Sequence, residues 1–301
     1  MTNGKTQISD HKPDASDLSV VIPFRFDTPE RLENLRAVVQ HLLATMAGIE
    51  VILIEDGPAL TAEDMADLPG VHYIGRQSDG PFHKTRILNE GIEGLSARAY
   101  GASYDTDALI YPTAFASALD LLRGGAGIVL PYNGMFFDIR NTARQALLKN
   151  PDLSQHRPEV VLAEGKAQKK QLVCINRNSV GGVVLFNRAA FAKAGGYHES
   201  FVAWGFEDAE IAERMAKFGH KVARVDGYPL MHLAHPRAGS GGGKWYKRSR
   251  HNVGYFKRMA RMSREEIEAL VASGALRGDM PKPAPVSQRL VAWLRGLFGA
   301  R

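Results

Sequence analysis

Between residues 18 and 75 the chain alternates short β-branched runs with a stretch of helical period, and this alternation restricts the fold more than any other feature. LSVVIPF (18–24), with its proline near the end, reads as a buried strand. Thr28 is placed to cap a helix that has Pro29 at its first position, and Leu32, Leu35, Val39, Leu42 and Met46 recur at helical spacing. EVILIED, closed by Gly57-Pro58, and VHYIG then read as two further strands. Strand, helix, strand predicts an α/β fold with a mostly parallel sheet covered by helices. In such sheets ligands bind beyond the carboxyl ends of the strands, which directs attention to Phe24-Arg25, Glu55-Asp56-Gly57, Asp105 and Asp107. Each of these, taken singly, also suits an ordinary strand-ending turn.

Further along, VGGVVLF predicts a strand whose paired glycines allow close approach of a ligand or another backbone. A helix is expected from about Glu207 to Phe218, followed by a strand near Lys221 to Val225. The 301 residues, 45% of them hydrophobic, suffice for one large domain. The lone Cys174 cannot form an internal bridge, and the first 17 residues hold no apolar run, so a cytoplasmic location is expected. No stretch reaches the roughly 18 to 20 apolar residues of a spanning helix. The net charge is +6, and residues 236–262 alone carry eight Lys/Arg and no acid, which suits a phosphate-bearing substrate, an anionic lipid surface or a nucleic acid.

Three groups carry chemistry. Asp105-Thr106-Asp107 offers two carboxylates to a divalent cation, although the same three residues also fit a surface loop. His232 and His235 stand just past a strand and can offer imidazoles to the same ion, which would favour Mn²⁺ over Mg²⁺ because imidazole is the softer ligand. Trp204-Gly205-Phe206-Glu207-Asp208 puts two acids in the first turn of a helix, where the dipole is expected to lower their pKa and keep one ionised as a proton acceptor.

The ordered set PFR, EDG, FHKTRILNEG, the Asp-x-Asp, GGV, WGFED and MHLAHPR resembles the inverting GT-A glycosyltransferases, with a family 2-like nucleotide-binding half and a β-1,4-galactosyltransferase-like C-terminal half. The resemblance covers about Leu18 to Phe256 and implies a single GT-A, Rossmann-like domain, taken as 18–280; the polar, patternless residues 1–17 read as a flexible lead-in. Within the domain the nucleotide-binding half would be 18–132, an insertion 133–178, the acceptor and catalytic half 179–236, and a basic flexible lid 237–262. It places Pro23, Phe24 and Arg25 at the base and diphosphate, Asp56 at uridine, and Arg86 and Asn89 near the nucleotide. Asp107 and His235 would ligate the metal, with Asp105 beside them and His232 as a second imidazole where animal members have methionine. Gly181 and Gly182 would line the sugar site, Trp204 cover donor and acceptor, Glu207 hold a sugar hydroxyl, and Asp208 act as base. The family's third acid is Ala209 here, and the run ARAYGAS is less apolar than the strand the family places before the Asp-x-Asp.

The expected function is therefore Mn²⁺- or Mg²⁺-dependent, inverting transfer from a nucleotide sugar, UDP-linked by resemblance, to a hydroxyl of a saccharide or lipid-linked acceptor. The competing readings are a nucleic-acid or anionic-lipid binding module, with Trp245, Tyr246, Tyr255 and Phe256 interleaving the basic segment, and a retaining transferase or nucleotidyltransferase. Nucleic acid is not the expected partner, since it accounts for neither the carboxylates nor the histidines. Finally, 281–301 reads as a Pro-rich spacer and a basic amphipathic tail helix (VSQRLVAWLRGLFGAR) suited to the inner face of the plasma membrane.

Overall fold

The computed structural model describes residues 12–58, 61–66, 68, 70–151, 153, 171–203, 205–236 and 244–278, with 244–250 described for their backbone alone. The tail at 281–301, Trp204, most of the expected lid hinge and part of the expected insertion therefore lie outside the described residues. Among those described, no helix is long and apolar enough to cross a membrane.

The expected alternation forms the first half of the sheet. Strand β1 (Leu18–Phe24) is buried along its whole length and pairs in parallel with β2 (Glu50–Gly57) on one side and β4 (Tyr100–Tyr104) on the other. β3 (Val71–Gln77) extends the sheet beyond β2. Helix α1 (Pro29–Thr45) starts as its sequence signals require: the Thr28 side chain accepts from the Arg31 N–H, and Pro29 opens the first turn. Its buried face, including Leu35, Val39 and Leu42, joins the core with Leu18, Val20 and Ile22. Short α2 (Ala62–Met65) and α3 (Lys84–Asn89) follow, the latter running into a π-helical turn at Glu90–Leu95.

The sheet is completed by β6 (Ile128–Leu130), β9 (Val183–Asn187) and β10 (Val222–Arg224), in the order β10-β6-β9-β4-β1-β2-β3, with only β9 antiparallel to its neighbours. Reversal of β9 brings Gly181-Gly182, just ahead of it, to the carboxyl end of β4; the Asp105 N–H donates to the Gly182 carbonyl at 2.8 Å. The weak hydrophobicity of ARAYGAS has a packing cause. A Cβ on Gly101 would sit 2.8 Å from Ile92 Cγ2, so β4 needs a glycine where the π-helical turn crosses it.

Two expectations need correcting here. Residues 133–178 are not merely a covering insertion: they supply β7 (Phe136–Ile139), helix α5 (Asn141–Lys149) and β8 (Leu172–Asn176). With β5 (Ala108–Leu109) and β11 (Leu230–Leu233) the two strands form a second sheet, ordered β5-β11-β7-β8, from which Phe137 and Ile139 bury their side chains in the main core. Nor is 251–262 a flexible lid. Helices α4 (Pro112–Arg123), α6 (Arg188–Lys193) and α7 (Glu207–Lys217) cover the main sheet, and α8 (Lys244–Arg261) packs on α7. Tyr255, Phe256 and Met259 share a buried cluster with Phe201, Phe218 and, from α9 (Arg264–Ala272), Ile267. Lys217 Nζ donates to the carbonyls of Met259, Ala260 and Met262 at the end of α8. Because Tyr255 and Phe256 are buried, they offer no face for stacking bases.

Candidate active site

The carboxyl ends of β1, β2, β4 and β11 lie together at one edge, and the candidate residues divide into three groups there. The first is at β1 and β2. Pro23 and Phe24 belong to buried β1. Arg25 uses four of its five N–H groups: its guanidinium donates to Asp56 O (2.6 Å), Asp56 Oδ2 (3.1 Å), Gly80 O (2.8 Å) and Ser78 Oγ (3.3 Å), and it lies over the Phe82 ring. Arg25 thus holds Asp56 in place at the end of β2, with Ser78 Oγ donating to Asp56 Oδ1 at 2.5 Å.

The second group is Asp107, His232 and His235, whose ligand atoms all lie within 4.8 Å of one another. Asp107 follows β4, and the Leu233 N–H donates to its carbonyl, joining the Asp-x-Asp turn to the end of β11. His235 Nδ1 is 2.7 Å from the Pro236 carbonyl, which can only accept, so Nδ1 carries a hydrogen. His232 Nδ1 faces Asp138 Oδ1 at 2.6 Å and donates in the same way. Both Nε2 atoms then turn towards Asp107, at 3.4 Å from Oδ1 for His232 and 3.0 Å from Oδ2 for His235. Two lone pairs and a carboxylate facing one another need a cation among them, and one carboxylate with two imidazoles is a donor set that fits a divalent transition metal. Without such an ion, protons must serve. Burial works against a charged His232, yet the Asp107 and Asp138 carboxylates outweigh it and push the ring up to about 9.

The third group surrounds Lys84, which was not singled out in the sequence. Its buried ammonium lies 2.9 Å from Asp105 Oδ1, 3.1 Å from Glu207 Oε1 and 3.7 Å from Asp208 Oδ2. Burial opposes its charge, but the three carboxylates outweigh burial and hold it protonated. Asp208 accepts from Tyr197 Oη at 2.7 Å through Oδ1, while Oδ2 faces Gly181, where a Cβ would intrude to 2.6 Å. The dipole does not win at Asp208. Burial, with Glu207 and Asp105 nearby, pushes its carboxyl up to about 7 against the pull of Lys84. The turn before α7 is itself constrained: Ala203 (φ 64) and Phe206 (φ 72) adopt left-handed backbone, and the Gly205 N–H donates to Glu207 Oε2 at 2.5 Å. Non-glycine residues in that region are strained, and such strain gathers at functional sites.

Arg86 and Asn89 stand apart from this cluster. Arg86 pairs with Glu199, and Asn89 is buried, donating to Tyr197 O and accepting from Tyr197 N–H. Asn89 therefore supports the segment that carries the Tyr197 hydroxyl to Asp208. Lys84 had a signal in the sequence, a lysine two residues from Arg86 in FHKTR, whereas Asp138 and Tyr197 had none.

A family model described as the N-terminal domain of galactosyltransferase matches residues 167–236, the stretch holding Gly181, Glu207, Asp208, His232 and His235. The chain is 25% identical over 245 residues to a chondroitin synthase of Escherichia coli, covering 73% of this chain and 35% of that protein. It therefore spans about a third of that relative's length. Among solved structures, a mannosyltransferase of Pyrobaculum calidifontis in complex with GDP-Man and Mn²⁺ aligns over 96% of this chain and 81% of its own, with TM-score 0.49 and 16% identity. A Drosophila β1,4-galactosyltransferase 7 in complex with manganese, UDP-Gal and xylobiose aligns over 82% and 79%, with TM-score 0.46 and 16% identity. Both sequence relationships are to glycosyltransferases, and the first falls on the stretch that supplies His232, His235, Glu207 and Asp208 to this site. Residues 167–236 are galactosyltransferase-like in sequence.

Proposed function

We propose that the protein transfers a sugar, with inversion, from a nucleoside diphosphate donor to a hydroxyl of a saccharide or lipid-linked acceptor. One observation carries this reading: Lys84 ties Asp105, two residues from the metal-ligand candidate Asp107, to Glu207 and Asp208 on α7, fixing a buried carboxylate beside the cation site. A divalent ion held by Asp107, His235 and His232, Mn²⁺ in preference to Mg²⁺, would supply the positive charge that a departing diphosphate needs. UDP is the favoured nucleotide, and Asp56 at the end of β2 would contact its base.

Asp208 Oδ2, packed against Gly181, receives the acceptor's hydroxyl proton. The acceptor oxygen forms its bond to the anomeric carbon as that carbon's bond to the diphosphate oxygen breaks on the opposite face. The proton ends on Asp208 and the negative charge on the leaving nucleoside diphosphate. Tyr197 fixes the carboxylate through Oδ1, so Oδ2 keeps one direction. Lys84 spends its donors on the protein's own acids and acts as a positioning residue. A value near 7 suits Asp208 to the role, because a general base works best when its pKa lies near the operating pH.

The test is a panel of nucleotide sugars with and without Mn²⁺, scored by nucleotide release, with the product anomer assigned by NMR. Retention of configuration, or release that is indifferent to the ion, would overturn the reading. We also propose that the chain works in the cytoplasm against the inner face of the plasma membrane, because 286–301 combines apolar residues at helical spacing with three arginines and no acid. Co-sedimentation with anionic liposomes, comparing the full chain with one ending at residue 279, tests that placement; equal binding by both would refute it.

A further inference from the structure

Resting on the metal-dependent reading above, we infer that Asp138 is a positioning residue that fixes His232 as a nitrogen ligand and thereby gives the site its preference for Mn²⁺ over Mg²⁺. The inference starts from strand register. β7 and β11 run in parallel, and Asp138 stands directly beside His232 in the pairing. Along β7 the side chains alternate: Phe137 and Ile139 enter the core, whereas Phe136, Asp138 and Arg140 share the other face.

On that face His232 is held from two sides. Its ring lies against Phe136, centroid to centroid 5.3 Å, and its Nδ1 donates to Asp138 Oδ1 at 2.6 Å. Asp138 is fixed in turn. Its Oδ2 accepts from Arg140 Nη2 at 2.8 Å and Nε at 3.2 Å, so the carboxylate cannot swing away from the imidazole. With Nδ1 committed, only Nε2 is free, and it points at Asp107 Oδ1, 3.4 Å away. His235 obtains the same tautomer differently, from the neutral Pro236 carbonyl. Of the two imidazoles, only His232 is therefore backed by an anion among the hydrogen bonds described.

A carboxylate behind a ligating imidazole sets the tautomer, orients the ring and raises the ligand's basicity; removing such a partner typically costs about 10- to 100-fold in metal affinity. The effect should depend on the metal. Mg²⁺ binds mainly through oxygen and water, so weakening an imidazole should affect it less than Mn²⁺. The alternative is that His232 is only an imidazolium joining two carboxylates, with Asp138 as its ion-pair partner. In that case Asp138 would contribute to the stability of the fold and not to metal choice.

The experiment titrates Mn²⁺ and Mg²⁺ into the full chain, with and without UDP, following free Mn²⁺ by electron paramagnetic resonance and Mg²⁺ by competition. The variants are Asp138→Asn, which keeps an acceptor but loses the charge, Asp138→Ala and His232→Ala. Melting in EDTA reports on the fold separately. The expected result is that Asp138→Asn weakens Mn²⁺ by about 10-fold or more and Mg²⁺ less, with His232→Ala showing the same loss of discrimination. Wild-type Mn²⁺ binding by Asp138→Asn, or an equal loss for both ions, overturns the inference while leaving the metal-dependent reading standing. A wild-type chain that holds no Mn²⁺ under either condition overturns both.

Discussion

At the scale of single residues, Asp208 carries the most distinctive expectation because burial has moved its carboxyl up to about 7. Asp208→Asn should lower kcat by about 10²- to 10⁴-fold, the usual range for loss of a general base, with little change in nucleotide affinity. For the wild type, kcat/KM should fall on the acid side of pH 7, where the base becomes protonated. The fold responds with the opposite sense. A folded-state value above the ordinary carboxylate range means that stability present at low pH is lost as pH rises through about 7. The asparagine variant escapes that loss, so its melting advantage over wild type should develop between pH about 4 and about 7 and stay level above; an inactive variant that melts lower throughout would refute the assignment. Lys84→Met should do the reverse, leaving buried carboxylates without their cation at a cost of about 3–5 kcal/mol, seen as a lower melting point. Sequence spacing could reveal Asp107, His232 and His235 because metal ligands are few and chemically distinctive. It could not reveal Tyr197 or Asp138, since an ordinary tyrosine or aspartate acquires its role only from what the fold places against it, and it offered Lys84 only as a neighbour of Arg86.

At the scale of elements, the antiparallel entry of β9 makes the glycine pair part of the site, and the two glycines should fail in different ways. Gly181 needs no unusual backbone; an alanine Cβ there would press to 2.6 Å from Asp208 Oδ2, a carboxylate anchored by Tyr197. Gly181→Ala should therefore cut kcat by about 10²-fold, the scale for a misplacement near 1 Å, while melting near wild type. Gly182 has φ 91, and a Cβ there would meet Leu230 Cδ1 at 2.8 Å. Gly182→Ala should instead destabilise the fold, by about 1–3 kcal/mol for a residue forced into that region. Comparing melting points and kcat for the two variants checks both statements. The early strands and α1 were legible because their apolar residues keep period and their caps are explicit. β7 and β8 were not, because FFDI and LVCIN are too short to show a period and stand in a segment that is otherwise polar. The α8 segment misled for a related reason: its positive charge is conspicuous, whereas Val253, Tyr255, Phe256 and Met259, which bury it against α7, are spread thinly among the basic residues.

At the scale of the whole molecule, the cation site is a joint between the two sheets. Asp107 leaves the main sheet at the end of β4, His232 lies in β11 of the second sheet with His235 just past its end, and the backbone bond from the Leu233 N–H to the Asp107 carbonyl closes the junction. In the unfolded chain His235 is 128 residues away from Asp107, so an ion held by both binds the native state almost exclusively. Such binding stabilises by RT ln(1 + [L]/Kd), about 2.7 kcal/mol at one hundred times Kd. For a chain of this size each kcal/mol raises the melting point by about 2–4 °C, which predicts a rise of about 5–10 °C with saturating Mn²⁺ over the chelated protein. Mg²⁺ should give less at equal concentration, because two of the three ligands are nitrogens. A proton on His232, whose ring is pushed up to about 9, competes with the ion, so the rise should grow from about pH 6 towards about pH 9. Differential scanning fluorimetry over that range, with EDTA, Mn²⁺ and Mg²⁺ in parallel, measures all three effects. Chelation should abolish transfer under the same conditions, and Mn²⁺ should restore it better than Mg²⁺. A melting point indifferent to the ion at every pH, together with full turnover in excess chelator, would show that Asp107 and the two histidines hold the sheets together with protons alone.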